Sequence, residues 1–318
     1  MTGSPDAGTE SASVAGPGVA RPDLMVGDVD ASPIGLVGTG LMGSAIARRL
    51  LAQGRQVVAW NREPDALAPL LARGATTAAS PRAVAEAAEV VLLCVLDTGA
   101  VGDCVRGADG IAAARGPALL IDLSTIDPAA TRDLAAELCM ANGAGWVDAP
   151  VSGGPPAAEA GTLTIMAGGE VADMERAAPV LAMLATNVTH MGPVGAGQTA
   201  KMINQALVGA GFVLMAEALA IAEASGIDAA RVPAYLAGGL ADSALLAQVY
   251  PAMQARRFEP RLGYARQLDK DMRAVRTFAQ GLGLDLPVVG AAADRFAAFV
   301  AAGHGMEDGR AITRLYDS

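Results

Sequence analysis

The sequence predicts an α/β protein in two parts, an N-terminal doubly wound parallel sheet followed by an all-helical C-terminal domain. Three observations predict it. From Ile34 to about Ala149, short apolar runs alternate with amphipathic stretches of helical length, each bounded by Gly, Pro, Ser, Asp or Asn, which is a β-α-β rhythm. A glycine-rich segment, Gly38 to Gly43, lies between the first apolar run and the first helical stretch. After Gly195 the rhythm stops: Lys201 to Ala224 is a long Ala/Leu/Val/Met run, and further helical stretches follow, separated by Gly226, Gly238-Gly239 and Gly281 to Gly283.

Taken in order, Ile34 to Val37 is the first expected strand, Leu41 to Gln53 its helix and Gln56 to Trp60 the second strand. Val90 to Leu96 and Ala118 to Asp122 are later strands, with helices opening at Pro64, Pro81 and Asp127, and the pattern continues less regularly through 146–149, 163–167 and 188–191. The Gly/Ser/Pro/Asp-rich residues 1–30 carry no basic n-region or apolar h-region and are expected to be a flexible tail. The expected organisation is therefore a tail over 1–30, a cofactor-binding domain over 31–194 and a helical substrate and dimerisation domain over 195–318.

Composition removes several classes of function. A chain of 318 residues with 52% apolar and 18% charged residues is globular, and its net charge of -10 repels phosphate backbones, so nucleic acid is not an expected partner. Unbroken apolar runs fall short of the ~20 residues of a membrane span, so no membrane partner is expected. Cys94, Cys104 and Cys139 have no C-x-x-C spacing, which suits a reducing cytoplasm rather than a disulfide framework. His190 is expected to be structural and His304 to lie in an exposed loop, and with no ligand partners at metal spacing no metal site is expected.

The glycine segment reads Gly38-Thr39-Gly40-Leu41-Met42-Gly43, a G-x-G-x-x-G at the end of a strand and the start of a helix. In a β-α-β context this is the Rossmann-type dinucleotide fingerprint, with pyrophosphate expected at the helix N-terminus against Gly38, Gly40, Leu41, Met42 and Gly43. The second strand ends Trp60-Asn61-Arg62 rather than in an acid. A guanidinium there suits the 2′-phosphate of NADP, although Glu63 follows, so NADP is the expected cofactor with NAD possible.

Only two of the 23 basic residues are lysine, Lys201 and Lys270. Arginine does not release its proton in a protein, whereas a buried lysine can be tuned to do so. Lys201 lies in the first turns of a helix opened by Gly195 and Gly197, with Asn204 and Gln205 on the same face. The positive helix end and burial both push its pKa down, making it the expected proton donor and acceptor. Ser152-Gly153-Gly154 offers a hydroxyl and unobstructed peptide N–H groups for a carboxylate. Thr125 and Leu96 are placed where open sheets bind ligands.

Four segments in order, Gly38 to Gly43, Asp122-Leu123-Ser124-Thr125, Asp148 to Gly154 and Gly195 to Gln205, resemble the β-hydroxyacid dehydrogenase family from Pro33 almost to the C-terminus. The resemblance implies hydride transfer between a nicotinamide cofactor and a small β-hydroxy acid or its semialdehyde, with Lys201 as catalytic acid/base. It implies a substrate acid group on Ser152, Gly153 and Gly154, with Thr125, Asn204 and Gln205 beside the substrate. Gln205 stands where some members carry a second Asn. Leu268 to Asp271 resembles a Leu-x-x-Lys-Asp signature whose lysine, here Lys270, reaches toward the cofactor, while the arginines around it are expected to be a solvated, salt-bridged face. An imine reductase and a non-catalytic NADP-binding module are the competing expectations, and Lys201 argues against both. The apolar helical half is expected to form a homodimer or homotetramer.

Overall fold

A computed structural model describes residues 32–115 and 119–317. The expected tail over 1–30 and Ala118 lie outside them. The chain alternates β1 (Ile34–Val37), α1 (Leu41–Ala52), β2 (Val57–Trp60), α2 (Ala68–Leu71), β3 (Thr76–Thr77), α3 (Pro81–Ala87), β4 (Val90–Leu93), α4 (Thr98–Arg106), β5 (Leu119–Asp122), α5 (Pro128–Asn142) and β6 (Gly145–Asp148). It continues through β7 (Val151–Ser152), α6 (Gly154–Ala160), β8 (Leu163–Gly168), α7 (Val171–Leu184) and β9 (Ala185–Gly192). The remainder is helical: α8 (Ala196–Ser225), α9 (Val232–Leu236), α10 (Ala244–Gln254), α11 (Ala265–Gly281), α12 (Pro287–Phe299) and a short 3-10 segment, Gly309–Tyr316.

The sheet runs β3-β2-β1-β4-β5-β6-β8-β7, with β9 on the far side of β8. The strands from β3 to β6 are parallel, and β8 runs antiparallel to β6 and β7. Covered on both faces, the central strands read as continuous apolar runs: Ile34, Leu36, Val37, Leu92, Leu93, Leu119 and Ile121 are all buried. Helix starts match local chemistry. Ser80, Asp97 and Asp127 accept from the opening N–H groups of α3, α4 and α5, and Pro81 and Pro128 occupy first helical positions.

Register places the site. Val37 lies beside Trp60 and Leu93, Leu93 beside Asp122, and Asp122 beside Asp148. The loops after β1, β4, β5 and β6 therefore open in one row, with the crevice between β1 and β4 where strand order reverses. The fourth strand is shorter than expected. It stops at Leu93: the Cys94 N–H still bonds the Val37 carbonyl, but beyond it the Val95 N–H goes to the Ser124 hydroxyl and the Leu96 carbonyl is bonded from the helical half.

The 30 residues of α8 span about 45 Å. Its buried residues, including Lys201, Met202, Gln205, Phe212, Ala216 and Leu219, form a stripe packed against α10, α11 and α12. The unbroken apolar runs are short, as expected, but by length and composition the whole of α8 matches a membrane-spanning helix, since Lys201 and Asn204 interrupt the apolar run without interrupting the helix. Its packed face makes it the central helix of this half, and Ile203, Leu207, Leu214 and Ile221 remain exposed on the other face. His304 also departs from expectation: its ring stacks on Phe299 and bonds Glu307 at 2.7 Å, a half-buried side chain in a helical turn rather than a loop.

The start of α8 fits against the sheet only because residue 197 lacks a side chain. A Cβ there would lie 2.5 Å from the Met166 carbonyl oxygen and 2.6 Å from that of Asp148. Gly197→Ala is expected to cost about 1–3 kcal/mol through overpacking, read as a lower denaturant midpoint at unchanged slope.

Candidate active site

The turn after β1 is shaped by close approach. Gly38 has φ +96°, and a Cβ on it would strike the Cys94 carbonyl oxygen. A Cβ on Gly43 would strike the Gly38 carbonyl oxygen, whereas none of the described residues comes within 4 Å of one on Gly40. The loop is thus packed behind and open in front. Among the described residues no side chain caps α1, so its first peptide N–H groups are available to an anion, with Leu41 and Met42 at its opening. The buried Thr39 hydroxyl has no partner among the described residues. An open glycine face, uncapped N–H groups and an orphaned hydroxyl at one point fit a dinucleotide pyrophosphate.

Asn61 braces this turn by accepting from the Thr39 N–H at 2.9 Å. Its amide nitrogen donates to the Glu63 carbonyl and carboxylate. Arg62 is 80% exposed and pairs with Glu63 at 2.9 Å, so the guanidinium holds an exchangeable partner rather than a fixed one. Glu63 is accordingly pulled below the usual carboxylate range, chiefly by its hydrogen bond from Arg62.

Lys270 reaches from α11 to the sheet side, donating to the carbonyls of Leu96 and Thr125 at 2.9 Å each. It lies 2.7 Å from Asp271 Oδ1. Thr125 is fixed on both flanks, since the buried amide of Gln198 donates to the Ser124 carbonyl at 2.8 Å and accepts from the Ile126 N–H at 3.1 Å. The Ser124 hydroxyl in turn accepts from the Val95 N–H.

Lys201 is 6% exposed and its Nζ donates to the Val151 carbonyl at 2.8 Å. The next residues are Ser152, Gly153 and Gly154; Gly153, at φ +127°, turns the chain directly beside that carbonyl. Burial lowers the Lys201 pKa to about 8, Asp271 works in the opposite direction, and Lys270 adds to the lowering. At the N-terminus of the same helix, Asp148 accepts from the N–H groups of Gly195 at 2.7 Å and Gln198 at 2.8 Å.

The structure therefore gathers Lys201, Asn204, Gln205, Thr125, Lys270 and the Ser152 to Gly154 turn around the ends of β5 and β6, and the glycine turn with Asn61 and Arg62 at β1 and β2. Sequence reasoning missed Asp148, Gln198 and Asp271. The sequence pattern groups Asp271 with Asp269 on a solvated face. Asp269 does pair with Arg273 one turn away, but Asp271 faces α8 and accepts from Gln205 at 2.6 Å. Both acids flank Lys270, so no local signal in the sequence sets Asp271 apart. Burial raises Asp148 to about 6 and Asp122 to about 7. It also lifts the Cys94 and Cys104 thiols to about 12 and about 11, so neither is an activated nucleophile.

This fold and this site define an NAD(P)-dependent oxidoreductase. The profile described as the NAD binding domain of 6-phosphogluconate dehydrogenase matches residues 33–192, and that described as NAD-binding of NADP-dependent 3-hydroxyisobutyrate dehydrogenase matches residues 195–316. An uncharacterised oxidoreductase of Synechocystis is 36% identical over 91% of this chain and 99% of its own. The 2-hydroxy-3-oxopropionate reductase of Escherichia coli is 34% identical over 89% and 97%. The crystal structure of a 3-hydroxyisobutyrate dehydrogenase from Salmonella typhimurium superposes with a TM-score of 0.80 at 31% identity, covering 89% of this chain and 99% of that one. The chain belongs to the 3-hydroxyisobutyrate dehydrogenase family.

Because a side chain at 43 would collide with the turn it packs under, Gly43→Val is expected to displace Gly38 to Gly40. Dinucleotide affinity should weaken at least about tenfold, about 1.4 kcal/mol, in a fluorescence titration with NADPH, while the far-ultraviolet circular dichroism stays that of the parent.

Proposed function

We propose that the protein interconverts a small β-hydroxy acid and its semialdehyde with NADP as preferred cofactor, Lys201 serving as general acid in reduction and general base in oxidation. The observation that carries this reading is the buried Lys201 ammonium, held by the Val151 carbonyl at the mouth of the crevice with a pKa of about 8. A group with that pKa can both give and take a proton near neutral pH.

Residues 31–194 would hold the cofactor: Gly38 to Gly43 at its pyrophosphate, Asn61 and Arg62 at its adenosine ribose, and Leu96 and Thr125, joined by Lys270 from the helical half, at its nicotinamide end. When bound, the reduced nicotinamide supplies a hydride to the carbonyl carbon. Lys201 Nζ donates its proton to the carbonyl oxygen, so that one C–H and one O–H bond form and the lysine is left neutral. The Ser152 hydroxyl and the N–H groups of Gly153 and Gly154 hold the substrate carboxylate beside it. Asn204 contacts the reacting end from the same face of α8. The relatives named for 2-hydroxy-3-oxopropionate and 3-hydroxyisobutyrate support a short substrate whose acid group is separated from the reacting carbon by one carbon.

Arg62 supports NADP, because a 2′-phosphate could replace Glu63 on the exposed guanidinium with two parallel hydrogen bonds. Residues 195–318 form the substrate and dimerisation half in this reading, and the bare apolar face of α8 supports a homodimer or homotetramer. Three unpaired thiols support a cytoplasmic location.

Initial rates with NADPH and NADH against a panel of short semialdehydes test the proposal. Turnover of at least one semialdehyde is expected, and Lys201→Ala should lower kcat about 10²–10⁴-fold with NADPH binding retained. Near-normal turnover in that variant would overturn the assignment. Reduction needs the protonated lysine and oxidation the neutral one. Reductive kcat should therefore fall as pH rises through about 8, and oxidative kcat should rise over the same interval.

A further inference from the structure

The polar network beside Lys201 continues in a direction the proton transfer does not use. Gln205 is 6% exposed, its amide nitrogen donates to Asp271 Oδ2 at 2.6 Å, and its amide oxygen accepts from Asn204 Nδ2 at 2.8 Å. A carboxylate only accepts hydrogen bonds, so Asp271 fixes which end of the Gln205 amide faces it. The oxygen of that amide is then turned to Asn204, which must answer with its nitrogen. The other oxygen of Asp271 lies 2.7 Å from Lys270 Nζ, the same ammonium that holds the Leu96 and Thr125 carbonyls. One carboxylate on α11 is thus linked, directly or through one amide, to Gln205, Asn204 and Lys270.

We propose that Asp271 is a positioning residue for the reaction, orienting Asn204 through Gln205 and supplying the buried negative charge that keeps the Lys201 ammonium in place. This rests on Lys201 being the general acid. Three charged groups bear on Lys201: Asp271 favours its protonated form and Lys270 opposes it, both from α11, while Asp148 at the end of β6 is engaged with the first N–H groups of α8. Arg132 of α5 lies against Gly195, at the helix start. Of these, Asp271 alone offsets the burial of the ammonium, since the Asp148 carboxylate is already shared by two peptide N–H groups. Without Asp271 the lysine gives up its proton at lower pH, and the Gln205 and Asn204 amides lose the anchor that sets their direction.

The test uses the full chain, saturated with NADPH, and a semialdehyde that it reduces. The dependence of kcat on pH is measured for the parent, Asp271→Asn, Asp271→Glu, Gln205→Met and Lys201→Met. Asp271→Asn keeps the shape and removes the charge. Its alkaline limb is expected at lower pH, cutting the rate above pH ~8 several-fold relative to the rate below it, with Asp271→Glu moving the limb back. Gln205→Met breaks the relay and leaves the charge, so KM should rise several-fold with the limb in place. A limb that vanishes in Lys201→Met but stays unmoved in Asp271→Asn overturns the role of Asp271 alone. A limb that survives in Lys201→Met overturns the assignment of Lys201 itself. Should Asp271→Asn fail to fold, a parental KM in Gln205→Met overturns the route through Gln205.

Discussion

The carboxylate of Asp148 at the end of β6 accepts the opening N–H groups of α8, and the position of every group on that helix depends on this junction. It closes the positive end of a helix of 30 residues with a fixed negative charge, where an uncapped end would leave peptide N–H groups unpaired in a buried place. It also sets the rotation and depth of α8 against the sheet. Lys201, in the second turn, is thereby brought within 2.8 Å of the Val151 carbonyl, and Gln198 is brought between the peptides on either side of Thr125. Gly197 allows the approach, and Asp148 holds it.

Around this junction the chain buries more charge than a stable core requires. Asp122 and Asp148 sit side by side in register, both raised by burial, and one oxygen of Asp122 has no partner among the described residues. Lys201 and Asp271 add an ammonium and a carboxylate a short distance away. Buried charges of this kind cost free energy and are seldom kept for stability alone. Here each acts in a definite direction. Asp148 holds a helix, Asp122 accepts from the Ser124 N–H that shapes the next loop, and Lys201 holds a proton whose affinity burial has lowered. The two lysines have separate roles. Lys270 links α11 to two loops, and among the described residues Lys201 is left with a single carbonyl partner, so its proton is the exchangeable one.

Much of this was legible in the sequence because it rests on local pattern. The β-α-β rhythm, the strand-to-helix glycine fingerprint and the helix starts at Pro81 and Asp127 act over a few residues. Lys201 and Lys270 stand out because arginine fills every other basic position. What escaped was set by partners far along the chain. Gln198 of α8 meets Asp148 across 50 residues, and Asp271 meets Gln205 across 66; nothing local separates Asp271 from Asp269, which makes an ordinary one-turn ion pair. The expected end of β4 lies three residues too far along because Cys94 to Leu96 are as apolar as a strand, and contacts from elsewhere in the chain, the packing of Gly38 against Cys94, the Ser124 hydroxyl on the Val95 N–H and the bond from Lys270, hold them as loop.

A direct measurement of the Lys201 proton affinity tests the central claim, and the composition makes it accessible. With two lysines in the chain, labelling lysine with carbon-13 at Cε yields two side-chain resonances, and Lys201→Arg identifies one of them. The account predicts that the Lys201 resonance titrates near pH 8 in the folded protein. Titration at the ordinary lysine value of about 10.4 would contradict it, since a lysine that keeps its proton throughout the neutral range could not accept one in the oxidative direction.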